Sequence, residues 1–144
     1  ADRVEFPGEV KDLGPLYRRA GIFVLSSRYE GFPNVLLEAM SYGCPCIAFD
    51  CPAGPADIIE NGATGLLVPN EDVDALASAI RHLAGDPELR TELGLRAREE
   101  VAERYTRERI MERWERLFFE PGGGESGEDQ AEVQQVKTQR GETS

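Results

Sequence analysis

The sequence predicts an α/β fold, a parallel β-sheet with helices packed on it. Three observations carry this. Apolar runs at Ile22–Leu25, Cys46–Phe49 and Leu66–Val68 are continuous rather than alternating, as in strands covered on both faces. Between and after them the apolar residues recur every three or four positions, the period of a half-buried helix. Gly- and Pro-rich breaks stand where one pattern gives way to the other.

In chain order, Arg3–Phe6 is expected as a short first strand ended by Pro7-Gly8. Asp12–Ala20 reads as a helix with Leu13, Leu16 and Tyr17 on its buried stripe, there for packing. Ile22–Ser26 is the next strand, and Asn34–Tyr42 a helix stopped by Gly43 and Pro45. Cys46–Phe49 follows as a strand, then the rigid loop Asp50-Cys-Pro-Ala-Gly-Pro55 and a short helical turn at Ala56–Glu60. Asn61-Gly62 and Gly65 mark reversals expected to need positive φ, leading into the strand Leu66–Val68. Asn70 or Asp72 caps a helix striped by Val73, Leu76, Ala77, Ile80, Leu83 and Ala84. Asp86-Pro87 starts another, through Leu89, Leu93 and Val101. Tyr105-Thr106 opens a last helix with a bulky stripe of Ile110, Trp114, Leu117 and Phe118. From Pro121 the chain is Gly-, Glu- and Gln-rich with few large apolar residues, the composition of a disordered acidic tail. The division is therefore one domain over 1–119 and a tail over 120–144.

One turn carries the chemistry. Arg28-Tyr-Glu-Gly-Phe-Pro-Asn34 joins a strand end to a helix start, where α/β sheets bind ligands and where the first helical N–H groups are unpaired donors. Gly31 lets the backbone approach a ligand, Pro33 presets the chain, and Asn34 is expected as N-cap. Two carboxylates bracket the turn with seven residues between them: Glu30 before it, and Glu38 about one turn into the helix, leaning back toward the pocket.

Glu-x7-Glu, with Glu30-Gly-Phe-Pro at its head and Leu37-Glu-Ala-Met40 at its tail, resembles the signature of retaining glycosyltransferases of the GT-B fold, glycosyltransferase family 4. The likeness runs from Val4 to Phe118, as part of that family's Rossmann-like C-terminal, donor-binding domain. It implies transfer of a hexosyl or N-acetylhexosaminyl group from a nucleotide sugar, UDP-linked by the likeness of the Asp50–Pro55 loop, to a glycan or lipid-linked acceptor. Glu30 then takes the catalytic position against the donor sugar, and Glu38 holds the ribose. Gly31, Phe32, Pro33, Asn34 and Val35 line the sugar and phosphates, and Val10, in Gly8-Glu-Val10, meets the nucleobase. Arg28 is a further candidate near the phosphates. The family's remaining phosphate ligands, and its N-terminal acceptor domain, would lie on residues not in this sequence, so transfer by this chain alone is not expected. The donor is a substrate, and no cofactor or metal is called for.

The composition narrows the alternatives. A net charge of -11 disfavours a nucleic-acid partner, which needs clustered Lys and Arg. No apolar run approaches the roughly 18 residues of a membrane span, so the expected location is the cytoplasm, with peripheral membrane association of the full enzyme left open. Cys44, Cys46 and Cys51 lack the spacing of a zinc site and read as reduced, buried side chains. His82 stands without a catalytic companion and reads as structural. The competing readings are a nucleotide-sugar epimerase of the same fold, an inactive fragment, and a receiver-like signalling module with Asp50 as phosphoacceptor.

Overall fold

The computed structural model describes residues 4–52 and 54–106. In order these form α1 (Gly14–Arg19), β1 (Phe23–Leu25), α2 (Asn34–Ser41), β2 (Cys46–Asp50), α3 (Pro55–Ile58), β3 (Leu66–Pro69), α4 (Val73–Gly85) and α5 (Pro87–Arg104). The three strands make one parallel sheet in the order β1-β2-β3, with Val24 opposite Ile47 and Ile47 opposite Leu66. This is the expected α/β architecture.

The central strand shows why its run is unbroken. Cys46 and Ala48 point into one core, with Leu25 of β1 and Leu36, Ala39 and Met40 of α2. Ile47 and Phe49 point into the other, with Val68 of β3 and Leu83 of α4. Alternate residues of a strand face opposite sides, and here both sides are covered. α5 spans the two layers: Leu89 and Leu93 join the second core, Ala97 and Val101 the first. Each fully buried Leu, Ile or Met contributes about 1.5–3 kcal/mol relative to leaving it exposed.

Local chemistry fixes the long helices. Asp72 accepts a bond from the Ala75 amide at 2.8 Å, and Asp86 one from Leu89 at 2.9 Å, so each caps a helix start. Arg90 donates to the Leu83 and Ala84 carbonyls and closes the end of α4. No described helix is long and apolar enough to cross a membrane.

Several expectations are corrected. Val4 and Phe6 lie in irregular, exposed chain instead of a strand. Alternating apolar residues suit a strand, but a strand's backbone groups need a partner, and among the described residues this segment pairs with none. Leu16 and Val73 are exposed, so neither belongs to its helix's buried stripe. Gly62 has the positive φ expected of it; Gly65 does not and is required by space, since an added Cβ would lie 2.9 Å from the Cys46 carbonyl oxygen. The helix stripe from Ile110 to Phe118 and the tail at 120–144 lie outside the described residues.

Candidate active site

The carboxyl ends of the strands run into three loops that are tied to one another. Asn70, after β3, donates from Nδ2 to the Arg28 carbonyl at 3.3 Å, and Arg28 Nε lies 3.4 Å from Glu71 Oε1. Gly54, after β2, closes against the same turn from the other side: an added Cβ would lie 2.7 Å from Pro33 Cδ and 3.5 Å from Glu30 Cβ. Tyr105, at the end of α5, donates to the Asp57 carbonyl at 3.1 Å and sets its ring 6.5 Å from that of Phe32. The β1–α2 turn is thus gripped by segments far away in sequence, 42 residues in the case of the Asn70–Arg28 bond.

Within that turn Glu30 is half-buried, and its carboxylate has no hydrogen-bond or ion-pair partner among the described residues. Gly31, Phe32, Asn34 and Val35 are exposed, and Pro33 is buried. The N-cap is Pro33, not Asn34. The Asn34 amide turns back onto the Phe32 carbonyl at 2.9 Å, which draws Asn34 into the first helical turn and removes its side chain from capping range. Its N–H is therefore spent. The amides of Gly31, Phe32 and Val35 have no protein acceptor among the described residues and supply the free donors of the turn.

Glu38 is exposed on α2, one turn beyond Asn34. Six of the expected site residues, Glu30 to Val35, therefore share one turn, with Glu38 on the helix that continues it. Val10 is half-buried in the irregular segment before α1, and no hydrogen bond joins it to the turn among the described residues. A cavity of about 320 Å³ lies at the other end of the strands, between Tyr42, Pro45, Arg90 and Arg98, away from Glu30.

Tyr17 is the residue that sequence reasoning assigned only to packing. Its ring is buried, edge-on to Phe23 at 5.7 Å and stacked on Tyr42 at 5.8 Å. Its hydroxyl donates to the Val35 carbonyl at 3.5 Å, near enough to Glu38 to feel its charge. Burial first, and then the negative charge of Glu38, raise the phenol above its ordinary pKa, so it stays a donor. Its place on an apolar stripe hid it, because nothing local announces a partner 18 residues on. Tyr17→Phe should keep the fold and lose about 0.5–1.5 kcal/mol of stability in urea denaturation, the net worth of a hydrogen bond. An unchanged midpoint would show that the hydroxyl contributes nothing.

The sequence family described as Glycosyl transferases group 1 matches residues 1–86, which contain Glu30 to Val35 and Glu38. The chain is 42% identical over 120 residues to an exopolysaccharide phosphotransferase of Streptomyces coelicolor, covering 83% of this chain and 13% of that protein. Sucrose-phosphate synthase of Thermosynechococcus elongatus superposes with a TM-score of 0.71 at 37% identity, over 81% of this chain and 30% of that one. A mutant of Staphylococcus aureus TarM, crystallised with Fondaparinux, alpha-GlcNAc-glycerol and UDP, superposes at 0.69 with 34% identity, over 74% and 22%. The chain spans less than a third of the length of each of these relatives.

Proposed function

Because the chain belongs to the Glycosyl transferases group 1 family, we propose that it is the donor-binding part of a retaining GT-B glycosyltransferase of family 4. It transfers a hexosyl or N-acetylhexosaminyl group from a UDP-sugar to a glycan or lipid-linked acceptor held by an N-terminal domain outside this sequence. The carrying observation is the turn itself: Glu30, a carboxylate without a partner among the described residues, beside three amides likewise unpaired at a helix start, held by the loops after β2 and β3. The UDP in the TarM structure supports the nucleotide, and its alpha-GlcNAc-glycerol supports the sugar class. The phosphotransferase name of the Streptomyces relative is not carried over, since the matched part is 13% of that protein.

The chemistry follows from the parts. The Gly31, Phe32 and Val35 amides and the α2 dipole favour the diphosphate as it gains charge on leaving. Glu30 fixes a sugar hydroxyl and opposes the positive charge that develops at the anomeric carbon. Glu38 accepts from the ribose hydroxyls. As the anomeric C–O bond to phosphate breaks, the acceptor oxygen bonds to that carbon on the same face. The acceptor's proton passes to the departing phosphate oxygen. The free, buried Cys44, Cys46 and Cys51 fit the reducing cytoplasm, where we place the reaction.

Calorimetry of UDP binding tests this. Glu38→Ala should weaken UDP by roughly tenfold or more, from charge-assisted hydrogen bonds worth about 1.5–3 kcal/mol. Unchanged affinity removes Glu38 from the site, and absence of UDP binding by the unsubstituted chain removes the donor reading as a whole.

A further inference from the structure

The last residue of β2, Asp50, and the loops that follow the three strands, with Glu30, Glu71 and Asp72, bring four acids but a single cation, Arg28. A diphosphate entering that acidic mouth needs a counter-charge beyond backbone amides. In the structure Arg28 is already engaged, though weakly. Its side chain is 73% exposed, that of Glu71 is 56% exposed, and one Nε–Oε1 approach of 3.4 Å joins them. The remaining guanidinium donors have no hydrogen-bond partner among the described residues. Such an exposed pair is easily given up to a stronger anion.

Glu71 is nonetheless placed with care. It has a φ of 63°, the one non-glycine residue with positive φ among those described. Its neighbour Asn70 bonds the Arg28 carbonyl and so fixes the loop beside the turn. A residue held in a sparsely populated backbone region needs surroundings that over-determine it. Here the outcome is a carboxylate set against the Arg28 guanidinium.

We propose that Arg28 is a ligand of the donor diphosphate, parked on Glu71 while the site is empty and exchanged onto the phosphates when the nucleotide enters. The inference rests on the donor-site reading above and deepens it. Guanidinium suits the task because its fork of N–H donors matches two phosphate oxygens at once. Glu71 then acts as a competitor that keeps Arg28 in place and lowers the affinity for the nucleotide, easing release of the spent diphosphate. The plain alternative is a structural latch, in which Arg28 and Glu71 merely stitch two loops together.

The two roles differ in sign. Under exchange, Arg28→Gln weakens UDP binding to the full chain by about fivefold or more while leaving uridine binding unchanged, because only the phosphates are contacted. Glu71→Gln tightens UDP by about two- to threefold, since the competitor is gone. Arg28→Lys keeps the charge without the fork and falls between. Under the latch, Arg28→Gln and Glu71→Gln weaken UDP alike, and uridine with it; that result overturns the proposal. If Arg28→Gln has no effect while Glu38→Ala still weakens UDP, the exchange fails and the donor site stands. If the unsubstituted chain binds no UDP, both fall.

Discussion

Gly94→Ala is expected to destabilise the domain by roughly 3 kcal/mol, the upper range for an overpacked core position. In a helix interior the same change would ordinarily stabilise by about 1 kcal/mol, so the sign alone is diagnostic. The reason lies in the helix contact. A Cβ on Gly94 would run into the Gly43 carbonyl oxygen, 3.1 Å from the Gly43 carbonyl carbon and 3.7 Å from Pro45 Cδ. These are atoms of the α2 terminus and the chain entering β2, and a backbone carbonyl has no rotamer through which to escape. α5 must therefore lift from α2, loosening the fully buried Met40 and Ala97. Urea unfolding of the two proteins measures it. A stability equal to or above that of the unsubstituted chain would mean that the helices stand further apart than the structure has them.

Gly94 also marks the limit of what the sequence discloses. Caps are local, so Asp86 announces α5 and the pair Asn70 or Asp72 announces α4 without tertiary knowledge; Asp86 and, of that pair, Asp72 accept the amide bonds. The covered strands are legible for a similar reason, since Cys46–Phe49 can be uniformly apolar only if both faces are buried. The β1–α2 turn is legible because Gly and Pro at a strand end followed by a helix leave amides unpaired whatever surrounds them. Contacts between distant segments are another matter. Tyr17 looks like any stripe residue until α2 lies above it, and the Asn70–Arg28 bond spans 42 positions with no pattern to betray it. Asn34 shows a competition decided by backbone geometry: a favoured N-cap by type, it is pre-empted because Pro33 and the Phe32 carbonyl start the helix one residue earlier. Val4 and Phe6 show the converse, a pattern suited to a strand in a segment that pairs with none of the described strands.

Gly54→Ala is expected to damage the site itself. Gly54 precedes α3 at φ 141° and ψ -72°, a region closed to side chains, and its missing Cβ is what allows Pro33 Cδ to approach. The substitution adds backbone strain of about 1–3 kcal/mol and pushes on the proline that starts α2. Because Glu30 Cβ lies on the same wall, the displacement reaches the carboxylate assigned to the donor sugar. UDP affinity should fall by about tenfold or more, as expected when binding groups shift by about an ångström. Gly62→Ala separates this from strain alone: it too has positive φ, 81°, but its added Cβ meets nothing within 4 Å. That variant should lose stability, by about 1 kcal/mol or more, and keep its UDP affinity. Were both variants to lose stability and nucleotide binding in the same proportion, the effect at Gly54 would be unfolding, and the packing of the Asp50–Pro55 loop against the turn would have no part in holding the donor.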